Sequence, residues 1–391
     1  MTATMGSANT ATTPDRATRA PVTPKREATV KIWASFGALI LAFEAYVLIK
    51  WVTGPNFQNV PPGPTPVPLG FKIAGTAITV GGAIATVWFF WNWVVKPWRR
   101  SRTVTAEGLM LVWFATFGWF FDPFANCFHA FFTYNSWFPN MGSWVADIPF
   151  WGSITAGKPG AMQAYPLGFV VTAYVWGLFG VIAFLAWSMR RMRSRWPAMS
   201  TPTLLVWTYV LATLTFLALE VVYMRAGIYG YHGAVPELTL WYGHYYQMPV
   251  YEAVFAGAWC VGYASLLYFR NDRGQTLVER GVEKIKVGKA GSIALRFSAM
   301  AAICAAIYMV TYNIPYWITN NVNAAWPQDA QQNSYWTNGI CGPGTDQACP
   351  SPALPMPTRH SGHFDPHGNF IVHEGSPAPA DANQVTQFAT K

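Results

Sequence analysis

Four carboxyl side chains, Glu44, Asp122, Glu220 and Glu252, lie inside stretches otherwise apolar enough for lipid. An ionisable group near the centre of a membrane helix costs roughly 2.5–3.5 kcal/mol on insertion scales, so it is expected to face a protein interior and invites a functional reading. Asp122 stands in the run Phe114–Thr133, FATFGWFFDPFANCFHAFFT, where Asp122, Asn126, His129 and Thr133 recur at i, i+4, i+7 and i+11. That spacing puts the polar groups on one helical face. Pro123 opposes a regular helix, because proline removes a hydrogen bond and clashes with the preceding turn, whereas Asp followed by Pro suits an N-cap and first turn. A broken or kinked helix lining a protected cavity is therefore expected. Asp122 as a cap of that kink is the competing reading, and it is compatible with catalysis.

The elements that position these groups follow from composition. Of 391 residues, 52% are hydrophobic and only 11% charged, against roughly 25% charged in soluble domains. The fold class predicted is all-α, a polytopic membrane bundle of seven transmembrane helices near 32–52, 70–95, 107–133, 166–189, 202–224, 247–269 and 291–318, each close to the ~20 residues that span a bilayer. The net charge of +9 does not indicate nucleic acid, because 19 of the 26 basic residues fall in the N-terminal tail and the loops at 96–107, 190–195 and 270–289. The loops at 53–69, 134–165 and 225–246 hold almost none. This asymmetry puts the N-terminus in the cytoplasm and the C-terminus outside. The domains expected are a disordered cytoplasmic tail at 1–31, the bundle at 32–320 and an irregular extracytoplasmic tail at 321–391. The outer loop at 134–165 is rich in Trp, Phe, Pro and Asn and is expected to fold back as a cap. In WYGHYYQMPVYE, Pro249 suits the first turn of the sixth helix.

With this topology, a rise of 1.5 Å per residue places Glu44 roughly 18 Å, Asp122 about 22 Å, and Glu220 and Glu252 each about 27 Å from the cytoplasmic ends of their helices. All four fall in the outer half. Asn126, His129, Tyr223, Asn313 and the cluster Tyr242, His244 and Tyr245 belong to the same layer or just above it. Acids crowded into one low-dielectric layer are expected to include a protonated acid beside an ionised base. That pair suits general acid/base work on a lipophilic substrate, and aromatic faces around it would stabilise a developing oxocarbenium ion or carbocation. The candidate catalytic residues are Asp122, Glu220, Glu252, His129 and Glu44; the candidate substrate-binding residues are Asn126, Tyr223, Tyr242, His244, Tyr245 and Asn313. Each has a structural alternative, such as a hydrogen bond from a neighbouring Tyr to Glu220 or an acid in the first helical turn for Glu252.

Cys127, Cys260 and Cys304 read as packing residues within spans, while Cys341 and Cys349, in CGPGTDQAC of the tail, suit a disulfide in an oxidising exterior. The histidines of RHSGHFDPHGNFIVH (His360, His363, His367 and His373) match no tight zinc signature, so no metal is assigned. No cofactor is expected: there is no convincing phosphate-cradling loop, dinucleotide fingerprint or nucleophile elbow. The seventh span lacks the lysine a retinal protein needs, and the histidines near the helices are too few for a membrane di-iron centre.

The stretch FDPFANCFHAFFTYNSWFP, with the aromatic loop that follows and the polar-tipped later helices, resembles the AveC-type spirocyclase family across residues 32–320. These are actinobacterial integral membrane proteins named after a cyclase and dehydratase of polyketide biosynthesis. The resemblance implies cyclisation and dehydration of a hydrophobic polyketide, terpenoid or related lipid, with spiroketal closure as the type reaction. The expected partners are this hydrophobic small molecule and membrane lipid. Two other readings use the same residues: a lipid or proton-coupled transporter, which requires polar access from the cytoplasmic side, and a non-catalytic membrane scaffold.

Overall fold

The computed structural model describes residues 25–320, 324–351, 359 and 362–372. Six helices are long and apolar enough to cross a bilayer, and a bent pair makes a seventh if counted as one span. We number them α1 (Lys25–Thr53), α2 (Leu69–Ser101), α3 (Ala106–Thr116, continued by a 3-10 segment at Gly118–Asn126), α4 (Leu167–Arg195), α5 (Thr201–Arg225), α6 (Val250–Tyr268) and α7 (Lys289–Thr319). Helix α1 begins inside the stretch expected to be a disordered tail; residues 1–24 lie outside the described residues. Outward-facing residues such as Ile84, Val87, Leu214 and Ile318 are more than half exposed, and a surface so continuously apolar suits hydrocarbon rather than water.

Local chemistry sets the helix ends. The Ser200 hydroxyl accepts from the Thr203 amide at the start of α5, and Thr105 caps α3 through Gly108, each satisfying an amide that has no intrahelical partner. Pro249 immediately precedes α6, one residue earlier than its expected first-turn place, and pairs across a short strand with Thr239. Helix α1 packs closely on α7, where the backbone at Gly37 lies so near Ser298 that a Cβ would stand 1.7 Å from its carbonyl oxygen. Only a residue without a side chain permits that approach.

The expected third span is the main departure. Helix α3 ends at Thr116, and the chain turns by 51° into the 3-10 segment. The break comes at Phe117 and Gly118, before Pro123, and helical structure stops at Asn126, so Thr133 belongs to a strand. The four-residue polar stripe therefore does not exist as one helical face. What permits non-helical backbone at this depth is the supply of donors to its carbonyls. The indole N–H of Trp144 donates to the Phe120 carbonyl (3.2 Å), the Asn313 amide to that of Phe121 (3.2 Å), and the Trp317 indole to that of Phe124 (2.7 Å).

Above the bundle, residues 127–166, 226–249 and 324–350 interleave as a cap. Its centre is a two-stranded antiparallel ladder of β1 (Thr133–Tyr134) with β2 (Tyr229–Gly230), in which Tyr134 stands opposite Tyr229. The segment expected to be an irregular tail is built into this cap. Trp336 is fully buried, its carbonyl accepts from the Thr133 hydroxyl (2.6 Å), and Asn338 donates to the Tyr134 carbonyl (3.0 Å). Cys341 and Cys349 form a disulfide, while Cys127, Cys260 and Cys304 are free and buried.

Candidate functional site

Beneath the ladder lies a cavity of about 70 Å³, walled mainly by aromatic and aliphatic side chains. Two carboxyls open into it, Asp122 from the 3-10 segment and Glu220 from α5. Each is held by two tyrosine hydroxyls. Asp122 accepts from Tyr134 at Oδ2 (3.0 Å) and from Tyr174 at Oδ1 (2.7 Å); Glu220 accepts from Tyr229 (2.6 Å) and Tyr231 (2.7 Å), both at Oε2. The two carboxyls are near enough to influence each other electrostatically.

The β-ladder explains why both acids are served at once. Directly opposed residues of an antiparallel pair project to the same face, and here Tyr134 and Tyr229 sit in T-shaped contact with ring centres 5.5 Å apart. One reaches Asp122 and the other Glu220. Burial first, and then the charge of its acceptor carboxyl, holds each of these two phenols well above its ordinary titration range. They therefore remain protonated donors at any physiological pH.

Of the remaining donors, Tyr231 directly follows β2 in the same loop, and Tyr174 comes from an irregular turn of a spanning helix. Tyr174 belongs to the π-helical segment Ala173–Leu178 of α4, and its hydroxyl also bonds that of Tyr308, which precedes the π-helical segment Met309–Asn313 of α7. Tyr308 stacks on Trp259, a cavity-wall residue, with ring centres 4.2 Å apart. A π-turn rotates the residues beyond it relative to a regular helix, and such turns are frequent at functional sites. Sequence reasoning missed Tyr134, Tyr174, Tyr229 and Tyr231 as carboxyl partners because they come from two loops and a π-turn.

The other candidates take distinct places. Glu252 is fully buried behind the wall, where its Oε1 accepts from Tyr312 (3.2 Å) and it interacts with Glu220. Glu44 is likewise buried, but neither oxygen has a hydrogen-bond partner and it does not line the cavity. Its placement corrects the idea of four acids converging, since equal depth does not mean equal direction around the helix axis. Tyr223 lines the cavity. Asn126 is structural: its side chain accepts from the Phe131 and Phe132 amides (2.8 and 2.9 Å) and donates to the Phe132 carbonyl (2.7 Å), closing the turn that carries Tyr134. Asn313 is also structural, pinning the 3-10 segment. His129 is half-buried and lies off the cavity wall. Tyr242 is exposed at the capped surface, His244 pairs with Asp329 (3.5 Å), and Tyr245 stacks against Trp336, so this cluster belongs to the cap.

Among the described residues, no group of three or more His, Cys, Asp or Glu side chains is placed to hold a metal ion. His360 and His373 lie outside the described residues; His363 stands 3.6 Å from Asp346.

No curated protein and no solved structure matches the chain. A family model, spirocyclase AveC-like, matches residues 98–336, a range shifted toward the C-terminus from the 32–320 expected. It takes in Asp122, Glu220, their four tyrosine partners and Trp336 of the cap, and it leaves out Glu44 and the disulfide. With well over half its length matched, the chain belongs to the spirocyclase AveC-like family.

Proposed function

We propose that the protein is a membrane-embedded cyclase and dehydratase that closes spiroketal-type rings on a hydrophobic polyketide, terpenoid or related lipid. The observation that carries this reading is one apolar cavity holding two carboxyls, each gripped by two tyrosine hydroxyls. Family membership supports the same class of reaction.

In this reading a proton-bearing carboxyl, Asp122 or Glu220, donates to a ketone oxygen while a substrate hydroxyl adds to the carbonyl carbon. The other carboxylate takes the hydroxyl proton, leaving a hemiketal. Protonation of the hemiketal hydroxyl releases water and leaves an oxocarbenium ion. A second substrate hydroxyl then captures the cation and gives up its proton to a carboxylate. One C–O bond to water is lost, two ring C–O bonds form, and no oxidant or reductant is consumed. Trp259 and the cavity tyrosines present π-faces that favour the cation by about 0.5–2 kcal/mol each, and positioned proton transfer supplies ~10²–10⁴-fold.

We take the basic face as cytoplasmic and the capped face as outer. On the basic face, Arg296 is paired with the buried Glu279 (2.7 Å) and Arg270 with Glu107 (2.6 Å). These pairs tie the 270–289 loop to α7 and to the start of α3, which supports an enzyme over a transporter that needs access from both sides. The test is conversion of a long-chain dihydroxyketone by membranes carrying the protein at neutral pH. A single spiroketal stereoisomer is expected, formed faster than with empty membranes; a racemic product at the background rate would exclude the reading.

A further inference from the structure

Among the described residues, the β1–β2 ladder and the loops that carry Phe131 and Tyr231 cover the capped side of the cavity. One wall is different. Helices α4 and α5 pack along the basic half, where Phe179–Arg195 lies against α5, whereas residues 167–178 of α4 stand off from α5 on the capped half. Long side chains span that gap. A Cβ on Gly177 would lie 3.2 Å from the Tyr223 hydroxyl and 3.9 Å from Leu219. Ala173 on α4 and Leu219 on α5 both line the cavity, and both are partly exposed, unlike the buried Phe169, Tyr174 and Tyr223 around them. The adjoining flank of α5 carries Leu214 and Val222, 59% and 56% exposed, so the gap opens onto an apolar surface rather than onto the cap.

We propose that the seam between α4 and α5 is a lateral portal through which the hydrocarbon part of the substrate passes between the bilayer leaflet on the capped side and the cavity, with Ala173 and Leu219 as its two jambs. This rests on the reading of the cavity as a site for a hydrophobic substrate and deepens it: the ligand is a membrane-dissolved molecule. Small Ala173 and Gly177 leave the width of the opening to Leu219 and Tyr223, which can change rotamer without disturbing a helix. The splayed half coincides with the π-turn that aims Tyr174 at Asp122, so the irregularity that builds the acid site also parts the helices.

The experiment uses the full chain in phosphatidylcholine vesicles and a fatty alcohol bearing a diazirine, photolysed and mapped by mass spectrometry. Labels are expected on the buried wall residues Phe132 and Phe169 as well as on exposed Leu214. Ala173→Trp or Leu219→Trp should reduce the buried labels about fivefold or more and leave that on Leu214 unchanged, with thermal unfolding checked for both variants. The proposal is overturned if neither tryptophan changes labelling of the buried wall. It is also overturned if the wall is never labelled, or if a charged, water-soluble diazirine labels it as well as the fatty alcohol does. Labelling needs no turnover, so a portal without dihydroxyketone conversion would sink the enzymatic reading and leave the portal standing.

Discussion

Replacing Glu220 by Gln separates acid/base chemistry from architecture at this site. Tyr229 and Tyr231 both donate to the same oxygen, Oε2. A glutamine can place its carbonyl oxygen there and accept both, so Glu220→Gln exchanges two bonds to a carboxyl for two to an amide. Hydrogen bonds to charged groups contribute ~1.5–3 kcal/mol and neutral ones about 1, which limits the loss of stability to roughly 1–4 kcal/mol. The amide cannot carry the proton, and loss of positioned proton transfer corresponds to ~10²–10⁴ in rate, or about 2.7–5.4 kcal/mol in the barrier. Turnover of the dihydroxyketone should fall by that factor while the variant remains folded in membranes by thermal unfolding. Tyr229→Phe and Tyr231→Phe retain the acid and remove one donor each, and should each cost only about tenfold. Wild-type turnover by Glu220→Gln would refute the role of this carboxyl, and wild-type turnover by Asp122→Asn as well would refute acid/base catalysis in the cavity altogether.

Asp122→Asn should abolish product with a larger fall in unfolding temperature than Glu220→Gln, because its two tyrosines bond to different oxygens and an amide offers only one acceptor. Reduction, or Cys341→Ser, should lower cap stability by about 2–3 kcal/mol, the closure entropy of so short a loop, read as earlier unfolding without dithiothreitol in the variant and with it in the wild type. His232 is buried in the cap between Trp326 and Trp336, and burial lowers its pKa from 6.5 to about 3. Its stabilising contribution is whole above pH 6.5 and is lost as pH falls toward 3, at about 1.4 kcal/mol per unit; His232→Phe should flatten the acid limb of a pH–unfolding profile, and an unchanged limb would refute the assignment. Trp317→Phe removes a donor to the Phe124 carbonyl at the end of the 3-10 segment and should cost ~1–3 kcal/mol, measured by unfolding.

The helices were legible from apolar runs of bilayer length, because in hydrocarbon the backbone must satisfy itself and helix is the local means of doing so. The Cys341–Cys349 pair was legible as well, since both cysteines fall in a short stretch of the segment that loop charges put in an oxidising exterior. A fixed rise per residue converts sequence into depth, which is why Glu44, Asp122, Glu220 and Glu252 could be set in one layer. Depth leaves rotation about the helix axis undetermined, and there the tertiary structure decided: Asp122 and Glu220 share the cavity, Glu252 stands behind it and Glu44 lies elsewhere. The helix expected through Thr133 ended at Asn126 because Trp144, Asn313 and Trp317, from three separate elements, supply the donors that let the backbone leave the helix. The tyrosines that hold the acids are fixed by strand register between two distant loops and by one π-turn. Such pairings depend on long-range contacts, and local periodicity carries no trace of them.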